Sequence, residues 1–371
     1  MEKQKQSRRL LSLDALRGFD MFFIMGGSGL LAALALWIPC SFTEILAGQM
    51  EHVSWNGLAH HDTIFPLFLF IAGISFPFSL DKQRSQGKSR RDIFRKIITR
   101  GLILVFLGIL YNGLLNFDFS NFRFASVLAR IGLGWMFAAL LFVTFSTRVR
   151  AAIAAAILIG YWLFVMYVPV PGATEGPLSL EGNWVGYIDR IFLPGYLHQN
   201  NIFDPEGLLS TIPAIVTAML GMFTGQFVKN SNSGMTDTRK VLWLVAAGIA
   251  LLIVGLLWAQ VFPINKKLWT SSFVCVVGSY SVLMFALFYY IIDVLGWKKW
   301  TFFFKIIGLN SITIYLAQKF ISFSFTADKV FGGTISLLPE SMQPFAQYLA
   351  YIAVCWLFLY FLYRKKIFLK V

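Results

Sequence analysis

The sequence predicts an all-α, polytopic integral membrane protein. Three observations carry that prediction. Of 371 residues, 57% are hydrophobic and only 13% charged, against about 25% charged in soluble domains. Apolar stretches recur along the whole chain, each near the roughly 20 residues a spanning helix needs. The basic residues are also segregated, as they are when Lys and Arg mark the cytoplasmic ends of membrane helices.

The apolar stretches predict about ten spanning helices, over 17–39, 62–80, 101–117, 124–145, 151–169, 208–228, 241–262, 269–292, 306–323 and 345–363. No internal repeat is visible, which argues against a transporter built from inverted repeats. Residues 1–371 therefore read as a single transmembrane domain. The first stretch follows a basic start, MEKQKQSRRLL, but lacks a small-residue cleavage site. It reads as a retained first helix, not a signal peptide.

An even number of spans puts both termini on one side. The loops 1–9, 82–100, 146–150, 229–240, 293–305 and 364–371 hold 24 Lys and Arg, and the opposite loops hold 5. Both termini are thus predicted to be cytoplasmic. The net charge of +14 is explained by the same flanking residues, so the partner it implies is the lipid bilayer and not nucleic acid. The three cysteines show no metal or disulfide spacing, and no metal is expected. No Asn-X-Ser/Thr sequon occurs, which fits a bacterial inner (cytoplasmic) membrane. The oligomeric state is left open, with a homodimer as one possibility.

All four histidines fall on the predicted outer side. Three of them, His52, His60 and His61, precede Asp62 in HVSWNGLAHHDTIFPLFLFIAGISFPFSL, which then runs apolar from Thr63 to Leu80. A loop able to do chemistry leads straight into a membrane helix. His52 can act as a general base, because an imidazole titrates near pH 6.5. It also fits a loop anchored by Trp55 in an interfacial aromatic belt. Asp62 and Pro66 suit a helix start, where a carboxylate caps free N–H groups.

Other polar groups lie at membrane depth. Asp14, Arg17 and Asp20 share one helical face and can pair, either as an anchor or as a mouth for an anion. Arg130 falls about 9 Å into a helix and would suit a ligand anion or a structural partner such as Asp189. Asn310 and Ser311 add polar groups inside the ninth helix, where they can hydrogen-bond to neighbouring helices, with Gln318 two turns further on. Asp204 and Glu206 precede the sixth helix, where acids favour the N-terminus; they could instead hold an aminosugar cation.

The motifs also carry a resemblance. HVSWNGL followed by D-x-x-F-P-x-F-x-F-I-x-G resembles the signature of the heparan-α-glucosaminide N-acetyltransferase family and its bacterial relatives. SLDALRG at 12–18, VLARIG at 127–132, FDPEGLLSTIPAIVTAMLG at 203–221, PINKKLWTSSFV at 263–274 and GLNSITIY at 308–315 follow in the family's order.

The resemblance implies an acyl-CoA-dependent N-acetyltransferase. It would take an acetyl group from cytosolic acetyl-CoA, its co-substrate, and place it on an amino sugar across the membrane. The family's catalytic histidine falls on His52, as general base or as acetyl carrier. Trp55, Asn56, Asp62, Asp204, Glu206 and Asn310 are expected on the acceptor, and Arg17, Ser28 and Arg130 on the donor. An Asn of the lysosomal member falls near Ser28, and a His of that member near Gln318, so the acceptor and the proton handling can differ here. Two other readings are O-acetylation of a cell-surface glycan and sugar transport without acyl transfer.

Overall fold

The computed structural model describes residues 10–118, 122–198, 202–230 and 234–369. The basic residues of 1–9 and Lys370 lie outside them. Among the described residues there are helices and no strand, as the composition implies. The helices are α1 (Leu11–Phe22), α2 (Ser28–Trp37), α3 (Ser41–Gly48), α4 (His60–Ser85), α5 (Arg90–Tyr111), α6 (Val127–Thr144), α7 (Thr147–Tyr167) and α8 (Trp184–Phe192). The second half holds α9 (Leu208–Lys229), α10 (Asp237–Trp258), α11 (Ser271–Phe288), α12 (Thr301–Leu309), α13 (Ser311–Phe320), α14 (Phe323–Ile335) and α15 (Gln343–Arg364).

Among the described residues, eight helical stretches are long and apolar enough to cross a membrane, and they match eight of the ten expected spans. The other two depart from expectation for local reasons. The stretch expected at 101–117 belongs to α5, which starts eleven residues earlier. Ser89 Oγ accepts from the Asp92 N–H at 3.1 Å and Asp92 reaches back to the Ser89 N–H at 3.3 Å, a reciprocal cap that starts the helix inside the basic segment. The stretch expected at 306–323 is broken at Asn310, whose backbone (φ −129°, ψ 33°) separates α12 from α13.

The first span also bends. A π-helical turn over Phe23–Gly27 joins α1 to α2, with Gly26 at φ 121°. Only glycine takes that backbone readily, and such turns commonly sit at functional sites.

The centre of the bundle is α4, α9 and α11. Of the apolar window of α4, 72% is buried, against 22% for α10 and for α15, so the latter two are the lipid-facing wall. Small residues let the central pair approach: a Cβ at Gly221 would lie 2.1 Å from the Phe70 carbonyl oxygen. This is how membrane helices gain contact without a hydrophobic drive. Phe70 meets Gly221, Ile74 meets Gly225, and Pro77 O accepts from Lys229 Nζ at 3.4 Å. The order rises together on both helices, so α4 and α9 run parallel and start at the same end. Residues 49–59, 193–198, 202–207 and 259–270 gather at that end.

Candidate active site

His52 lies between α3 and α4. Its Nδ1 is 2.7 Å from Asp62 Oδ1. Asp62 is the third residue of α4, and its other oxygen accepts from the Val53 N–H at 3.2 Å and the Ala59 N–H at 3.3 Å. The capping role read from sequence is therefore real, and it fixes the carboxylate that receives the His52 Nδ1–H. That bond sets the tautomer and leaves Nε2 as an acceptor. The His52 side chain is 55% exposed and that of Asp62 3%. An open imidazole backed by a buried, oriented carboxylate is the arrangement of a general base.

A third group completes the cluster. Lys266 Nζ donates to Asp62 Oδ1 at 3.1 Å and lies 3.2 Å from His52 Nδ1. Its loop is stiff: Asn265 Oδ1 accepts from the Leu268 N–H at 2.9 Å, and the Thr270 N–H donates to Asn265 O at 3.1 Å. Burial holds the Lys266 ammonium below the ordinary lysine value, with Asp62 opposing that shift. Sequence reasoning counted Lys266 only as an outer basic residue; its place inside PINKKLWTSSFV was the signal.

Trp55 and Asn56, expected on the acceptor, turn their polar atoms into the protein. Trp55 Nε1 donates to Leu178 O at 2.8 Å, and Asn56 Oδ1 accepts from Asn265 Nδ2 at 3.1 Å. Lys267 donates to Ser54 O at 2.6 Å. These bonds lash the His52 loop to the Lys266 loop. His61 stands beside His52, ring centroids 4.5 Å apart, and its Nδ1 is 3.1 Å from Ser28 Oγ. Ser28 thus reaches the His52 end from just past the π turn. His60 points elsewhere, its Nε2 3.2 Å from the Tyr280 hydroxyl.

A second charged cluster sits at the same end. Arg123 donates from Nε to Asp204 Oδ2 at 2.7 Å and from Nη2 to Asp204 Oδ1 at 2.6 Å, and also pairs with Glu206. Asp204 further accepts from the Glu206 N–H at 2.9 Å and the His198 N–H at 3.3 Å. Burial raises the Asp204 carboxyl, but Arg123 outweighs it and holds the group below its ordinary value. The Asp204 side chain is fully buried and that of Glu206 12% exposed. Asp189 accepts from the Leu208 N–H at 3.0 Å, and burial pushes its carboxyl up to about 6.

Arg130 is 1% exposed. It donates to Ser210 Oγ and to Gly207 O, and its guanidinium lies over the Trp269 ring at 4.9 Å. This places it at the start of α9, at the His52 end, with Gly207 as its partner where Asp189 had been considered.

The remaining expected residues lie toward the opposite end. Arg17 Nη2 donates to Ser75 Oγ at 3.2 Å and Nη1 is 3.6 Å from Asp14 Oδ1, the pairing read from their spacing. Asn310 donates to Ile367 O at 3.1 Å, in the segment past α15. Trp37 of α2 packs on Phe345 at the start of α15, and α15 then runs about 33 Å. Asn310 is thus far from His52. Among the described residues, no group of His, Cys, Asp or Glu is placed to hold a metal.

Comparison with known proteins bears on this geometry. No family model matches the chain. Over 98% of its length it is 28% identical to the human heparan-alpha-glucosaminide N-acetyltransferase, and over its whole length 26% identical to the mouse protein of that name. Both relatives carry the name of the family that the motifs resemble. The match covers 60% of the human protein and 61% of the mouse one, so this chain spans about three fifths of the length of these relatives.

Proposed function

We propose that the chain is a transmembrane acetyltransferase that moves the acetyl group of acetyl-CoA to the amine of a terminal glucosamine-like sugar. The relatives' name supplies the acceptor class. The single observation that carries the chemistry is the 2.7 Å bond between His52 and the buried Asp62, with the rest of the imidazole open. In this reading Nε2 takes a proton from the acceptor nitrogen. That nitrogen bonds to the thioester carbonyl carbon, the C–S bond breaks, and the thiolate leaves and takes up a proton. Asp62 keeps the ring aligned and stabilises the transient imidazolium. A variant has His52 carry the acetyl group itself.

Both termini are proposed to face the cytoplasm of a bacterial inner membrane, with His52 outside. The basic segment 82–100 and Arg17 then sit where donor phosphates are drawn in. A cysteine at position 52 should react with an impermeant reagent in intact cells, and one at 91 should not. The reverse pattern would overturn the scheme.

One observation favours a second reading. Lys266, 3.2 Å from the His52 ring, repels an ammonium acceptor, so a sugar hydroxyl would be received more easily and the product would be an O-acetyl ester. The test is acetyl transfer by the purified protein from acetyl-CoA to glucosamine and, in parallel, to N-acetylglucosamine. Transfer to glucosamine alone supports the amine; transfer to both supports the hydroxyl. Absence of transfer to either sugar, with sugar movement across a vesicle membrane, would make the chain a transporter.

A further inference from the structure

Among the described residues, Arg150 is a buried cation that no carboxylate neutralises. It is the fourth residue of α7 and only 5% exposed. Its side chain folds back on the first turn of that helix: Nη2 donates to Thr147 Oγ1 at 2.8 Å and to Gln226 Oε1 at 3.0 Å. Gln226 lies in the last turn of α9, so this corner belongs to the end of the bundle away from His52. Phe142 of α6 covers the guanidinium face at 3.8 Å. The other two nitrogens, Nε and Nη1, are buried without a partner.

A buried charge is unfavourable unless it is paired. Water would satisfy the N–H groups and leave the charge. An anion satisfies both, and the helix start adds to its attraction. Ser146, the N-cap of α7, makes no side-chain bond, so the first N–H groups of the helix are left for an outside acceptor, where the helix dipole favours negative charge. A phosphate has enough oxygens for the guanidinium and for these N–H groups together. The rim of the corner says what the phosphate carries. Phe145 and Val149, on either side of the α7 start, are apolar and exposed, as a surface that meets acyl chains is. Basic pockets between helix ends in this position suit anionic lipid head groups.

We infer that the corner between α6, α7 and α9 binds the phosphate of an anionic phospholipid in the leaflet away from His52, with Arg150 as its counter-charge. The inference does not depend on acyl transfer. Only the name of the leaflet, the cytoplasmic one, comes from the orientation proposed above. Arg150 already joins α7 to α9 through Gln226 and to α6 through the Phe142 ring, so a bound head group would hold the three helix ends together.

The test is the thermal transition of the purified full chain in detergent. Dioleoylphosphatidylglycerol should raise it by about 2–4 °C, and equal amounts of dioleoylphosphatidylcholine or inorganic phosphate should not. Arg150→Gln should lose that shift. Gln226→Glu sets a carboxylate against the guanidinium, so it should raise the transition without lipid and lose most of the response to it. No response in the parent, an equal response to phosphatidylcholine, or a full response kept by either variant would overturn the inference. A full shift with inorganic phosphate would make the corner a site for free anions and overturn the lipid assignment. If Arg150→Gln does not fold, Gln226→Glu decides.

Discussion

Two charged clusters share one end of this bundle, and they are built in opposite ways. Arg123, Asp204 and Glu206 form a closed set, in which Asp204 is fully buried and its oxygens are taken by a guanidinium and by backbone N–H groups. His52, Asp62 and Lys266 form an open set, in which the carboxylate is buried and the imidazole is half exposed. The closed set ties Arg123, just before α6, to the start of α9 and leaves its aspartate nothing to offer a substrate. The open set leaves one nitrogen uncommitted. Burial of the carboxylate with exposure of the base separates a group placed for chemistry from a group placed for folding.

The sharpest way to break this contrast is His52→Ala. A positioned general base contributes about 10²–10⁴-fold in rate, so kcat for acetyl transfer should fall by that order while the thermal transition in detergent stays put. His60→Ala and His61→Ala should fall less, because those rings are committed to Tyr280 and Ser28. Near-parental turnover in His52→Ala would move the base elsewhere.

Arg123→Ala probes the closed set and should behave in the reverse way. It strands the buried Asp204, and breaking a buried pair destabilises by about 3–5 kcal/mol. Denaturant or thermal unfolding should register that loss directly. A stable Arg123→Ala protein with lost turnover would instead put the arginine in the active site.

Lys266→Met gives a smaller, more diagnostic effect. Its ammonium donates to Asp62 Oδ1 at 3.1 Å, so its removal loosens the carboxylate behind His52 and should lower kcat by less than His52→Ala does, with little change in KM for the donor. An unchanged kcat would reduce Lys266 to a tether for the loop.

The smallest effect concerns Asp189, which backs the closed set. Folding favours its protonated form, so its contribution is full below the ordinary aspartate value of 3.8 and is lost as pH rises through about 6. Asp189→Asn should flatten the stability profile across that window. A parent profile already flat there would show that the carboxyl is ionised throughout.

Much of this was legible in the chain, and the exceptions are physical. Hydropathy alone finds α4, α9 and α15 to within a few residues, because a spanning helix must be apolar over about 20 positions. It misplaces α5, whose first three turns carry Arg90, Arg91, Arg95, Lys96 and Arg100 and whose start is set by a cap and not by apolar content. It also runs through Asn310, because Ile306, Ile307, Ile312 and Ile314 keep the stretch apolar while the break depends on a bond to the segment past α15. His52 stood out as the head of the most specific motif. Asp62 looked like a helix cap, which it is, and nothing in its spacing from His52 says that the carboxylate also faces the ring.

The sequence by itself determined that this is a multi-pass helical membrane protein, which stretches are long and apolar enough to cross, and which histidine begins the distinctive motif. These follow from composition, apolar length and charge placement, all of them local properties. Only the tertiary structure decided which charges are spent on one another. Asp204 is closed by Arg123 from 81 residues away and Lys266 reaches Asp62 across 204. Burial and distance between such remote positions arise only when the helices pack, so side chains of the same type become a strut in one cluster and a catalytic candidate in the other.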